Sequence, residues 1–227
     1  MNSTVRFEKT LPIAGVVPTM GEPSGQPIDY EALAAQYQLN AWQATCAEKF
    51  ARFTAGRENL LVTSWLHEGI RPYRASIQKV LAWQYSFPGL LISGPTGRGK
   101  TRSMLALIKR LMCEEFIDAS CWYAQDLAIK IANEVSYGRD DAQAFVRAVA
   151  GHKLLVIDDL GQEAVVRSQE DRVDSWLFEL FDRRLSAHLP CIITTNLPAD
   201  QLGAGFRHEP FLRRLLELCG GQPIIFK

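Results

Sequence analysis

The sequence predicts an α/β protein built on one five-stranded parallel sheet flanked by helices. Three observations predict it. From about residue 90 onward, short runs of β-forming residues alternate with longer amphipathic stretches, the order that parallel strands with right-handed crossovers require. A glycine-rich octapeptide, Gly94-Pro95-Thr96-Gly97-Arg98-Gly99-Lys100-Thr101, sits between the first such run and the first such stretch. The length of 227 residues, 47% hydrophobic and 22% charged, suits one large domain or two small ones.

Taken in chain order, residues 1–28 hold Pro12, Pro18, Pro23 and Pro27 with Gly15, Gly21 and Gly25, a density that opposes helix and central strand alike. They read as a flexible tail. Asp29 can cap a short helix over 31–38, and Asn40 a second that runs to about 55 and stops at Gly56. Residues 29–57 thus form an N-terminal helical segment. Within it Trp42, Cys46, Phe50 and Phe53 fall on one helical face, which packs on the domain behind it, docks another protein, or does both.

The runs Gly89-Leu90-Leu91-Ile92-Ser93, Ser120-Cys121-Trp122-Tyr123, Leu154-Leu155-Val156-Ile157, Cys191-Ile192-Ile193-Thr194 and Pro223-Ile224-Ile225-Phe226 read as strands buried on both faces. Helical stretches over 101–115, 125–135, 141–149, 169–187 and 208–218 connect or precede them. Residues 58–227 therefore make up the core domain.

The octapeptide is a complete G-x-x-x-x-G-K-[ST] motif and has its required context, a strand before it and a helix after it. Its glycines let consecutive N–H groups and a helix N-terminus point at phosphate oxygens. Lys100 then bridges the outer phosphates, Thr101 offers its hydroxyl to Mg²⁺, and Arg102 follows at the mouth of the loop. The pattern marks a P-loop NTPase binding ATP with Mg²⁺. Such a site also needs carboxylates, and Leu154-Leu155-Val156-Ile157-Asp158-Asp159 ends a buried strand in two acids. Asp158 is placed as the Mg²⁺ partner through water and Asp159 as the base that orients the attacking water. Asn196, after Thr194-Thr195, can hold that water or sense the terminal phosphate, or else cap a helix beginning at Pro198-Ala199-Asp200.

Composition excludes several classes. Lys+Arg and Asp+Glu stand at 25 each, so nucleic acid cannot be coated by bulk charge and any DNA contact must be a local patch. No apolar run approaches the roughly 18 residues of a membrane span, and the first residues lack a secretory core, which together suggest a cytoplasmic chain. The five cysteines are widely spaced with no C-x-x-C pair, as buried small hydrophobes in a reducing compartment would be. His67, His152, His188 and His208 are scattered and take no catalytic role.

With these residues in hand, the chain resembles the DnaC/IstB group of AAA+ ATPases, the bacterial and phage helicase loaders and transposition helper ATPases. The resemblance rests on 94–101, on 154–161 (LLVIDDLG), on Asp182-Arg183-Arg184 and on Ile192-Ile193-Thr194-Thr195-Asn196-Leu197, and spans about residues 66–226. Gly69-Ile70-Arg71-Pro72-Tyr73-Arg74 is similar to a stretch of that group lying near the nucleotide base, with its Tyr-Arg pair one residue early, which nominates Tyr73 as a nucleotide contact.

The resemblance implies an AAA+ type core and an ATPase that works as a homo-oligomer, each site completed by an arginine of the next subunit. Arg214 matches best, with Arg213 second and Arg207 third; the alternative is a surface arginine paired with Glu209 or Glu217. It implies a replicative DNA helicase as partner, reached through residues 29–57, and single-stranded DNA contacted through Lys130, Tyr137, Arg139 and Arg147; Asp140 and Asp141 offset that charge, and the alternative is an ordinary solvated helical face. The sequence ends soon after the fifth strand, so the C-terminal helical lid of the group is expected to be lacking and turnover by the isolated chain weak. A transposition helper ATPase and a nucleotide-gated protein-binding adaptor are the alternatives.

Overall fold

The computed structural model describes residues 30–61, 72–161, 170–197 and 209–227. Two compact units divide at residue 37, and the described part of the first is the opening of a helix, α1 (Tyr30–Thr54). The second unit, 38–227, carries the sheet and the glycine-rich loop. The predicted tail at 1–28, the Gly69-Ile70-Arg71 stretch, Arg207 and the helix that Asn196 would cap lie outside the described residues.

The expected pair of N-terminal helices is one helix. Between Tyr30 and Gly56 there is neither proline nor glycine, and Asn40 inside a helix costs only about 0.7 kcal/mol relative to alanine, so nothing breaks the run. The break comes where expected, at Gly56, whose φ of +77° is open to glycine at little cost.

The domain continues through α2 (Arg74–Ala82), β1 (Leu90–Ser93), α3 (Lys100–Lys109, prolonged by a π turn to Glu114), β2 (Ala119–Tyr123), α4 (Ala124–Tyr137), α5 (Arg139–Ala150), β3 (Leu154–Leu160), α6 (Glu170–Ser186), β4 (Cys191–Thr195), α7 (Glu209–Leu218) and β5 (Ile224–Ile225). The strands pair in parallel in the order β2-β3-β4-β1-β5. Alternate residues of the strands feed two separate cores, as the two-residue period demands. Leu91, Leu155, Ile157 and Ile193 join α4 to α7 on one face, while Ile92, Leu154, Val156 and Ile192 join α2, α3 and the end of α1 on the other. Being buried on both faces explains why the strands read as continuous apolar runs.

The aromatic stripe of α1 is used within the domain. Cys46, Phe50 and Phe53 are buried, and the Trp42 indole donates to the Phe116 carbonyl at 3.0 Å. Packing thus accounts for Cys46, Phe50 and Phe53, while Trp42, at the start of the stripe, stays 38% exposed. All five cysteines are free; Cys46, Cys191 and Cys219 are buried as expected, Cys113 and Cys121 only partly, and burial pushes the Cys191 thiol up to about 11.

Arg184 is the largest fully buried side chain. Its Nε donates to Cys191 Sγ at 3.2 Å, Nη1 to the Ala150 and His152 carbonyls at 2.9 and 2.7 Å, and Nη2 to those of Lys153 and Pro190 at 3.3 and 2.5 Å. One guanidinium therefore ties the end of α5 to the entries of β3 and β4. Those are the strands whose far ends carry the candidate acids and Asn196.

Candidate functional site

β1 runs directly into the glycine-rich loop. Gly94 has φ +143° and packs so closely on β5 that a Cβ there would lie 2.2 Å from the Phe226 carbonyl oxygen, which is why only glycine fits. Gly97 and Gly99 follow with φ of +79° and +94°, and Gly99 leads into the first turn of α3. These turns leave Pro95, Thr96, Gly97 and Arg98 exposed at the rim. Lys100 is 4% exposed and folds back over the loop, its ammonium donating to the Pro95 carbonyl at 3.0 Å and to Asn196 Oδ1 at 2.7 Å.

The two acids of β3 are brought together by an irregularity. In a regular strand adjacent side chains face opposite sides. Here Ile157 pairs with Ile193 and Leu160 with Thr195, so Asp158 and Asp159 together stand opposite Thr194 alone, a β-bulge. Asp159 takes φ +62°, a left-handed conformation that aspartate tolerates better than most side chains. The Thr194 hydroxyl locks the bulge: it accepts from the Asp159 N–H at 2.9 Å and donates to Asp158 Oδ1 at 2.5 Å. Thr194 had no role assigned from the sequence, because its place opposite the two acids is set by the pairing of β3 with β4.

Asp158 is 1% exposed, and Thr101 donates to its Oδ1 at 3.0 Å. Asn196 then links the remaining groups, its Nδ2 donating to Asp159 Oδ1 at 2.8 Å while its Oδ1 receives Lys100. Asn196 is thus held in the site by both ends of its amide. Burial, and after it the neighbouring Asp158 charge, push the Asp159 carboxyl above the ordinary aspartate value. Burial likewise pulls the Lys100 ammonium below the usual lysine value, against the pull of both acids.

Thr96, Gly97, Gly99, Lys100, Thr101, Arg102, Asp159 and Asn196 line one cleft of about 330 Å³, together with Arg57 and Leu60. Its chemistry is that of a phosphate cradle, with flexible glycine backbone, one ammonium and the N-terminal end of a ten-residue helix. A hard divalent cation fits as well: the Thr101 hydroxyl and the Asp158 carboxylate lie together, oxygen donors of the kind Mg²⁺ takes.

Arg57 was not foreseen. It follows Gly56 after α1, and its Nη1 meets Asp158 Oδ2 at 3.0 Å, while its guanidinium carbon lies 3.9 Å from the centre of the Tyr123 ring. Nothing in its local sequence separates it from any surface arginine. Only the fold, which sets the end of α1 beside the ends of β2 and β3, reveals it.

The remaining nominations fall elsewhere. Tyr73 is buried against Phe226 and does not line the cleft; Arg98 lies over its ring at 5.3 Å, so Tyr73 props the glycine loop from behind. Arg214 pairs with Asp182 of α6 at 2.9 Å and with Glu217 at 3.1 Å, and Arg213 pairs with Glu217 at 2.9 Å, away from the cleft of their own chain. The pairing with Glu217 that the sequence left open as an alternative is therefore present. Lys130 pairs with Glu134 along α4, whereas Tyr137 and Arg139 are exposed at the α4–α5 corner and Arg147 is exposed in the last turn of α5. Among the described residues no helix is long and apolar enough to cross a membrane, and no cluster of His, Cys, Asp and Glu has the makings of a separate metal centre.

No protein-family model matches the sequence, and no curated protein matches it either. Solved structures do. The DnaC helicase loader superposes with a TM-score of 0.55 at 22% identity, over 69% of this chain and 89% of its own. DnaI gives 0.54 at 20%, covering 75% of this chain and 94% of that one. AMPPCP-bound DnaA from Aquifex aeolicus gives 0.53 at 18%, over 71% of this chain; the present chain spans only 48% of that DnaA. At these identities the likeness is one of fold: the five-stranded P-loop AAA+ sheet flanked by helices that the sequence predicted.

Proposed function

We propose that this AAA+ fold serves an ATPase that acts as a replicative helicase loader in phage or bacterial DNA replication, in the cytoplasm, and that the chain belongs to the DnaC/IstB group. The observation that carries the ATPase reading is the unbroken hydrogen-bond chain from Lys100 through Asn196 to Asp159, beside the Thr101–Asp158 pair. It gathers a phosphate-binding cation, a water-positioning amide and a carboxylate base at the carboxyl ends of adjacent strands, where α/β sheets bind ligands. The loader reading draws support from the likeness to the DnaC helicase loader over most of that protein's length.

In this reading the loop 94–101 wraps the phosphates of ATP, and Thr101 with Asp158 holds Mg²⁺, which would neutralise phosphate charge. Lys100 leaves Asn196 for the outer phosphates. Asp159, its carboxylate freed of little but the Asn196 amide, accepts the proton of the attacking water, and Asn196 keeps that water in line. The ATP state is a homo-oligomer in which Arg214 of one subunit, or Arg213 beside it, reaches the site of the next. Either must first leave Glu217, so the charge is released only where a neighbouring subunit offers a better anion. Lys130, Tyr137, Arg139 and Arg147 contact single-stranded DNA, and residues 29–57 bind the helicase.

Sedimentation of the full chain with Mg-ATP, single-stranded DNA and a replicative helicase tests this. Assembly that needs ATP and is lost in Arg214→Ala, with nucleotide affinity unchanged, is the expected result. Capture of a transposase in place of a helicase would turn the reading to a transposition helper, and failure of both nucleotide and DNA to change sedimentation would leave the adaptor.

A further inference from the structure

We infer that Arg57 is a nucleotide-site residue supplied in cis, which competes with a divalent cation for Asp158 and so ties occupancy of the cleft to the turn that ends α1. The inference rests on the reading of the cleft as a Mg-nucleotide site. Asp158 is fully engaged: Thr101 and Thr194 donate to Oδ1, and Arg57 to Oδ2. A cation held between Thr101 and Asp158 comes up against the guanidinium, and two positive charges cannot share one buried carboxylate without mutual repulsion. Arg57 has somewhere to go, because it already lines the cleft with Lys100, Gly97 and Thr96, where a phosphate chain would lie. A planar guanidinium suits that second anion as well as the first.

The turn is built to transmit such a shift. Tyr123, at the end of β2, carries the guanidinium on its ring and donates its hydroxyl to the Phe53 carbonyl in the last turn of α1 at 2.7 Å. Phe53 itself stacks on Tyr123 with ring centres 4.9 Å apart. The Arg57 backbone returns to Thr54 at 2.9 Å across Gly56, whose positive φ marks the swivel. Residues 58–60 then close a single 3-10 turn, anchored by Leu60 and Leu61 against the core, so that the Gly56–Arg57 step between helix and turn is where a shift is taken up.

The test uses the full chain, a fluorescent ATP analogue, a Mg²⁺ titration and amide exchange of residues 55–61. In Arg57→Gln the Mg²⁺ concentration for half-maximal analogue binding falls about tenfold, the scale of one partly exposed charged hydrogen bond. Arg57→Lys, which keeps the charge without the fork, falls between. In the wild type Mg-nucleotide changes exchange at 55–61, and in Arg57→Gln that response is lost. An unchanged Mg²⁺ dependence in Arg57→Gln, with the analogue still bound, would overturn the inference alone; a wild-type chain that bound no analogue would overturn it together with the nucleotide reading.

Discussion

Replacing Arg184 with methionine should destabilise the fold by about 3 kcal/mol, and the size follows from counting what is left behind. The guanidinium serves four carbonyls and a thiol. Two of the carbonyls keep another donor, Pro190 from the Leu155 N–H at 3.3 Å and Lys153 from the Tyr85 hydroxyl at 3.2 Å. For Ala150 and His152 no second donor is among the described bonds; an orphaned buried acceptor such as Ala150 costs about 1–3 kcal/mol, and the part-buried His152 carbonyl falls at the low end of that range. Methionine fills most of the volume and no longer requires a cation to be desolvated, so the net falls toward the lower half of that sum. Urea unfolding provides the assay. With slopes of about 1–3 kcal/mol/M, the midpoint should drop by at least about 1 M with the slope unchanged. Nucleotide affinity of the folded protein should hardly move, because Arg184 lies at the opposite ends of β3 and β4 from the cleft. A midpoint equal to or above that of the wild type would refute the argument that acceptor satisfaction, and not filling of space, is what Arg184 provides.

Other outcomes follow from the cleft. Gly94→Ala should cost more than Gly97→Ala in melting temperature, since a Cβ at 94 would collide with the Phe226 carbonyl at 2.2 Å and pry β5 from β1, whereas at 97 it meets nothing within 4 Å and bears only the left-handed strain. Equal losses would contradict the close approach. Asp159→Asn should abolish turnover yet leave the protein at least as stable at pH 7. The sign follows from the raised carboxyl: the folded state binds the Asp159 proton more tightly than the unfolded chain, so its ionisation withdraws stability as pH rises above the ordinary value of 3.8 through the raised one. The variant's advantage should therefore vanish in melts below that window.

Much of this was legible in the sequence because the informative patterns are local. The strand run 90–93, the octapeptide and the helix after it share one stretch of chain, and burial on both faces wrote β3 and β4 as uninterrupted apolar runs. Asn196 was legible because it follows a strand beside the phosphate loop. What could not be read depends on distant partners. The bulge at Asp158 and Asp159 is defined only against Thr194, and Arg57 acquires meaning only once α1 packs beside β2 and β3. Tyr73 shows the reverse error, since a motif resemblance pointed it at the nucleotide while the start of α2 turns its ring inward onto Phe226. Asn40 was overweighted as a cap because a single polar residue does not end a run of good helix formers.

The central claim, that the cleft between the glycine-rich loop and Asn196 is a nucleotide site organised by Lys100, is tested most directly by equilibrium binding of ATP to the wild-type chain and to Lys100→Ala. The account predicts saturable binding by the wild type and a loss of at least about 100-fold in the variant, as removing a desolvated cation from a phosphate chain should give. Equal affinity in the two proteins, with both folded, would contradict it.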